Sequence, residues 1–210
     1  METAEGRARP FLSGVILAAG ASSRMGRPKQ LLPLRGRPLL QHVLDAAAGS
    51  CLDEIIIVLG HHADEIRGAL QLPPSCPVRV VINADYALGQ STSLRAGVRA
   101  ADARAEAVAV LLGDQPHVTA RLIDTVAAAF LAAGSPVARP GHLTADGRRI
   151  PGHPVFLSRQ TWAVVDALRG DEGARSLLTE HPEWLHEVPV AGEPPRDIDT
   201  WADYSSTLKS

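Results

Sequence analysis

A chain of 210 residues, 45% of them hydrophobic, carries enough apolar mass for one buried core, which excludes a disordered chain. A formal net charge of -2 gives no general attraction to nucleic acid or to an anionic membrane, and no apolar run approaches the roughly 20 residues a membrane span requires. Two cysteines, Cys51 and Cys76, supply neither a disulfide framework nor metal-ligand spacing, so the expected location is the cytoplasm. Residues 1–13 lack the apolar core of a signal peptide and read as a disordered lead, leaving 14–210 as a single domain. The apolar run at 15–17 predicts a buried strand. Leu39–Ala48 has helical spacing, with Leu39, Leu40, Val43, Leu44 and Ala47 on one face. Glu54–Leu59 holds an unbroken β-branched run, which suits a parallel strand covered on both faces. A short helix over 64–70 follows, then a break at Pro73-Pro74 and a strand over Val78–Ile82. Ser91 is placed to cap a helix over 92–100. Another strand spans 107–112, and the Ala-rich helix Ala120–Ala133 is closed by Gly134. Beyond it, 140–152 reads as a loop or hairpin, 155–157 as a short strand, 161–168 and 175–180 as helices, and 185–190 as a late strand. Alternating β and α signals predict an α/β layer structure with a mostly parallel sheet.

Chemistry-bearing residues cluster where such sheets bind ligands, beyond the carboxyl ends of strands. The first strand runs into Ala18-Ala19-Gly20-Ala21-Ser22-Ser23, a small-residue turn, and then Arg24, Gly26 and Lys29. Exposed backbone N–H groups followed by cations suit a polyphosphate. The spacing is neither GxxxxGK[ST] nor GxGxxG, so this is neither a P-loop nor the dinucleotide fingerprint. Asp114 follows five apolar residues at the end of 108–112. It either holds Mg²⁺ against phosphates or makes an Asp-turn before Gln115-Pro116.

The pattern LAAGxSxRMGxxK, here Leu17 to Lys29, resembles the nucleotidyltransferase signature of the MobA-like superfamily. More closely, the chain is similar to the molybdenum cofactor cytidylyltransferases, in blocks at 17–34, 83–97, 113–116, 152–156, 170–175 and 197–203. The form Leu-Ala-Ala-Gly leans toward the cytidylyl over the guanylyl branch. This resemblance implies a Rossmann-like three-layer nucleotidyltransferase fold. It also implies transfer of CMP from CTP to a phosphate of the molybdopterin cofactor, with release of pyrophosphate. Catalysis falls to Lys29, Arg24 and Asp114, with Lys29 at the α-phosphate and Arg24 at the β/γ oxygens. Nucleotide binding falls to Leu17, Ala18, Ala19, Gly20, Arg24, Lys29, Asn83 and Ser91. Mg²⁺ is the implied cofactor, held by Asp114 and Asp199, although Asp199 or Thr200 also fits the cap of a final helix. His153 and Arg175 lie in the blocks that match the acceptor side, where a pterin phosphate would bind. The implied partners are CTP or GTP, a pterin-phosphate acceptor and an apo-molybdoenzyme, with no nucleic acid and no membrane. Rival readings are a guanylyl or sugar-phosphate transferase, an NAD(P)-dependent oxidoreductase, and a non-catalytic cofactor-insertion protein.

Overall fold

The computed structural model describes residues 9–209. Its elements run β1 (Phe11–Ala18), β2 (Pro33–Leu34), β3 (Arg37–Pro38), α1 (Leu39–Ala48), β4 (Glu54–Leu59), α2 (Ala63–Ala69), β5 (Val78–Ile82) and α3 (Gln90–Ala100). After these come β6 (Ala105–Leu112), α4 (Ala120–Ala133), β7 (Val137–Leu143), β8 (Arg149–Pro151), β9 (Val155–Ser158), α5 (Trp162–Ala167), α6 (Ala174–Glu180), β10 (Leu185–Ala191) and α7 (Trp201–Thr207). The main sheet has the order β10-β7-β9-β6-β1-β4-β5, with β8 pairing β7, while β2 and β3 form a separate hairpin. β5, β4, β1 and β6 are mutually parallel, and β9 enters antiparallel between β6 and β7.

The central strands are apolar on both faces because each face is covered by helices. Alternate residues separate into two cores. Leu12, Ile16, Ile55, Ile57, Ala107, Ala109 and Leu111 pack with α1, α2 and α4 on one side. Val15, Ile56, Val58, Val108 and Val110 pack with α3, α5 and α6 on the other. The period of two along each strand sorts the same run of sequence into both layers. α7 lies outside these cores, where Tyr204 and Ile198 close a small cluster with Met25, Leu32, Leu34 and Leu39. That cluster fastens the C-terminal segment beside the loop after β1. No described helix is long and apolar enough to cross a membrane.

Three expectations need correction. β1 spans Phe11–Ala18 and not only 15–17, because Leu12 is wholly buried and its N–H donates to Asp53 Oδ2 at 2.8 Å. Residues 1–8 of the expected lead lie outside the described residues. Ser91 does not cap α3. The cap is Gly89, at φ 110°, and a Cβ there would come within 2.1 Å of the Gly170 carbonyl carbon. Close backbone contact with Gly170, reinforced by the Ser91 N–H donating to Gly170 O at 3.0 Å, sets this helix start. Finally, the segment 140–152 contains the hairpin of β7 and β8, but β7 runs straight through Pro140. Pro140 is tolerated because β9 pairs only Val137 and Ala138, and β8 pairs only from Gly141 onward.

Phe156 is completely buried and stacks at a tilt on Phe130, centroids 5.4 Å apart, at the seam between β9 and α4. Phe156→Ala is expected to destabilise the fold by about 3–5 kcal/mol. The check is a urea titration, in which the midpoint falls and the slope is retained.

Candidate active site

Sheet order reverses between β1 and β6, since β1 leads to β4 through α1 on one face and β5 leads to β6 through α3 on the other. The loops after β1 and β6 therefore diverge and leave a crevice at their carboxyl ends. A cleft of ≈ 450 Å³ occupies that place, lined by Leu17, Ala18, Ala19, Gly20, Lys29 and Asp114 among others. Its floor is the small-residue turn. A Cβ built on Gly20 would meet nothing within 4 Å, so no protein atom demands glycine there. The space is open to whatever approaches the backbone.

The turn is held by a residue that sequence reasoning missed. Gln30 is buried, and its Nε2 donates to Ala18 O at 3.0 Å and Gly20 O at 3.3 Å. Ser22, in a left-handed conformation at φ 53°, accepts the Lys29 N–H on its Oγ at 3.1 Å. These contacts aim the Lys29 side chain across the cleft. Its Nζ donates to Asp114 Oδ2 at 2.5 Å and to Asp199 Oδ1 at 2.7 Å. Arg24, largely exposed, reaches Asp199 from outside at 3.2 Å.

Burial alone would lower the Lys29 pKa, but the Asp114 and Asp199 carboxylates outweigh it and hold the ammonium above its ordinary value. Burial pushes the Asp114 carboxyl up, against the pull of Lys29. Asp199 is lower than usual, chiefly through its hydrogen bond from Lys29. Burial also drives His153 down to about 4, so its imidazole is neutral, with Asp114 and Arg139 pulling it in opposite directions.

Asp114 Oδ1 is shut off from solvent and has no hydrogen-bond partner among the described residues. A buried carboxylate oxygen left unpaired is costly, and a cation is its natural partner. Among the described residues no group of three or more His, Cys, Asp or Glu could hold a metal ion. Two carboxylates plus phosphate oxygens suit a hard divalent ion such as Mg²⁺ or Mn²⁺, which keeps its remaining positions for substrate and water.

The segment carrying Asp199 is tied to Asp114. Ile198 N–H donates to Asp114 O at 3.0 Å, and Gln115 Nε2 donates to Asp197 Oδ1 at 2.7 Å. Thr200 and Asp203 form a capping box at α7, so the cap role belongs to Thr200 and leaves Asp199 free for Lys29. Gln115, like Gln30, carried no signal in the sequence beyond its turn-forming neighbour Pro116.

Two of the expected nucleotide-binding residues lie elsewhere. Asn83 is buried, and its amide donates to Thr92 Oγ1 at 2.8 Å and Ser93 Oγ at 3.0 Å while its Oδ1 accepts from Asp85 N–H at 3.0 Å. Ser91 is wholly buried. Neither lines the cleft, whereas Tyr86, Gln90 and Ser93 do. Asn83 organises the loop and leaves Ser93 facing the cleft. A second cleft of ≈ 570 Å³ adjoins the first across Leu17, Gln90, Leu112 and Asp171, and it brings His153 and Arg175 together with Arg139.

A doubly covered, mostly parallel sheet with an open small-residue turn and paired carboxylates at its switch point suits a nucleotide-handling α/β protein. The chain belongs to the family described as MobA-like NTP transferase domain, whose profile matches residues 14–185. It is a nucleotidyltransferase of that family. Purine catabolism protein PucB of Bacillus subtilis (strain 168) is 36% identical over 208 residues, covering 96% of this chain and 98% of the relative. Nicotine blue oxidoreductase of Paenarthrobacter nicotinovorans is 33% identical over 189 residues, covering 85% and 86%. Among solved structures, Rv0371c of Mycobacterium tuberculosis H37Rv superimposes with a TM-score of 0.82 at 33% identity, covering 97% of this chain and 100% of that one. Rv0371c has also been solved as a complex with manganese.

Proposed function

We propose that the protein transfers CMP from CTP to the phosphate of a molybdopterin acceptor and releases pyrophosphate. The observation that carries this reading is Lys29 Nζ held between Asp114 and Asp199 at the rim of the open Gly20 turn. The charges of Lys29 and Arg24 are balanced by the Asp114 and Asp199 carboxylates. A triphosphate brings enough negative charge to draw both cations away, and the two carboxylates would then hold Mg²⁺. The manganese complex of Rv0371c, a relative of the same fold, supports a divalent ion here. Such an ion, when bound, neutralises phosphate charge as a Lewis acid.

An oxygen of the acceptor phosphate attacks the α-phosphorus as the α–β bridging P–O bond breaks, and the electron pair leaves with pyrophosphate. The nucleophile is already ionised, so no general base is required. The chain's contribution is positioning and fixed charge. Backbone N–H groups after β1 and the Arg24 guanidinium hold the β/γ oxygens, while Lys29 meets the charge that grows at the α-phosphate. His153 and Arg175 face the acceptor from the adjoining cleft. The product would pass to an apo-molybdoenzyme, in the cytoplasm.

Base choice is assigned to Ala19, which is nearly buried and lines the cleft. Its methyl narrows the slot beside the base and favours a pyrimidine over a purine. One methyl group is worth roughly 1–3 kcal/mol, or about 10–200-fold. CTP should therefore exceed GTP in kcat/KM, and Ala19→Gly should relax the preference without inverting it. The measurement is pyrophosphate release from each nucleotide with molybdopterin and Mg²⁺. Equal or GTP-favouring values in the unmodified protein overturn the cytidylyl assignment and point to the guanylyl or sugar-phosphate variant.

The name of the nicotine blue relative favours a second reading, NAD(P)-dependent oxidation. Against it stands the absence of GxGxxG spacing after β1. Pyridine-nucleotide turnover without pyrophosphate release would select it, and binding of CTP with no turnover would select a non-catalytic insertion role.

A further inference from the structure

The cleft beside the transfer site contains a guanidinium that the proposed reaction does not yet use. Arg139 sits mid-strand in β7, and alternation places it on the same sheet face as Val137, the face covered by α3, α5 and α6. β10 pairs β7 beside Arg139, placing Glu187 opposite it, but the other edge of β7 is unpaired there, because β9 pairs only Val137 and Ala138 and β8 starts pairing at Gly141. That edge of the sheet therefore has a gap at Arg139, and Arg139 lines the cleft of ≈ 570 Å³. The Arg139 side chain is only 21% exposed. Its Nε is closed off from solvent and has no hydrogen-bond partner among the described residues. Its ion pair is long, Nη2 to Glu187 Oε2 at 3.5 Å, and Glu187 also receives Arg149 at 3.3 Å. One carboxylate thus serves two guanidiniums. Arg175 adds a third cation to the lining of this cleft. A partly buried guanidinium whose Nε is closed off and unused carries a desolvation penalty that an anionic ligand relieves, and its planar fork fits phosphate oxygens two at a time.

We propose that Arg139 is the anion-binding residue of the acceptor cleft, where it receives the phosphate monoester of the acceptor while Glu187 keeps the empty guanidinium in place. The identity of the acceptor rests on the nucleotidyl-transfer reading; the anion site rests on Arg139 and Glu187 alone. Arg139 would hold the acceptor phosphate from the side opposite Lys29 and so present an oxygen to the nucleotide. Because this contact exists before reaction, its loss should raise the acceptor KM more than it lowers kcat.

The test uses two fluorescent probes, neopterin 3′-monophosphate and uncharged neopterin, in equilibrium titrations of the full chain and of Arg139→Gln, Arg139→Lys and Glu187→Gln. The unmodified protein should bind the phosphate ester about 10-fold or more tightly than neopterin. Arg139→Gln should lose that difference while neopterin binding stays level, and Arg139→Lys should keep part of it. Glu187→Gln should bind the ester at least as tightly as the unmodified protein, because it frees the guanidinium. A merely structural role for the pair would weaken binding in both variants. Unchanged ester affinity in Arg139→Gln, equal weakening in Glu187→Gln, or failure of the unmodified protein to prefer the ester each overturns the proposal. Should Arg139→Gln not fold, the Arg139→Lys and Glu187→Gln titrations still decide it in the same directions. Steady-state turnover separates the two readings. No pyrophosphate release by the unmodified protein with CTP and molybdopterin defeats nucleotidyl transfer but leaves the anion site standing. Turnover with an unchanged acceptor KM in Arg139→Gln defeats the anion site alone.

Discussion

Asp114→Asn should retain the fold and lose kcat by on the order of 10²-fold or more. The side chain keeps its volume, so β6 and the turn after it have no reason to rearrange. What disappears is charge at a buried position. Asp114 Oδ2 now accepts from Lys29 at 2.5 Å, and its Oδ1 faces inward without a partner among the described residues. An amide supplies a poor metal ligand in place of an anionic one, and it places an N–H or a neutral oxygen against the Lys29 ammonium. The outcome is read in two measurements: the near-UV spectrum and melting temperature, expected to be close to those of the unmodified protein, and pyrophosphate release at saturating nucleotide and Mg²⁺. Turnover near the unmodified level removes Asp114 from the chemistry.

Lys29→Ala has a comparably large expected effect, with a different signature. The Lys29 ammonium is shared by two carboxylates, and Arg24 touches only the outer one, at 3.2 Å. Removing Lys29 leaves Asp114 and Asp199 facing each other with a single, exposed counter-charge. Since the charge at the α-phosphate grows during reaction, kcat should fall by roughly 10²–10³-fold while the nucleotide KM changes far less. A variant altered only in KM would mean that Lys29 binds the bound nucleotide and its transition state alike. Ionisation of Asp114 offers a second readout. Asp114 is already pushed toward its neutral form by burial, and losing its nearest cation pushes it further. The variant's carboxylate should therefore protonate at a higher pH than in the unmodified protein, a change visible by isotope-edited carboxyl infrared titration.

Much of this molecule can be read along the chain. The strands Glu54–Leu59 and Val78–Ile82 and the helices Leu39–Ala48 and Ala120–Ala133 coincide with predicted elements, because each is a strongly periodic or uninterrupted apolar run. The turn from Leu17 to Lys29 announces its chemistry locally as well, since small residues and cations at close spacing act within a few residues of one another. Proline and glycine in 140–152 concealed the strand through Arg139, since a proline ordinarily argues against one. Pro140 is tolerated because β8 and β9 leave a gap along one edge of β7 beside it, while β10 pairs the other edge.

The same limit separates the site residues. Composition and periodicity establish an α/β chain, and the spacing after the first strand marks a small-residue turn followed by cations. That Lys29 lies between Asp114 and Asp199, 85 and 170 residues away, follows from the order of strands and from the packing of Ile198 and Tyr204 under α7. The structural commitments of Asn83, the support that Gln30 and Gln115 give the turns, and the partly unpaired guanidinium of Arg139 likewise depend on contacts distant in sequence. Local patterns record what a residue's immediate neighbours require of it. Hydrogen-bond partners and buried charge arise where separate strands and loops are brought within a few ångströms, and that proximity is a property of the folded sheet.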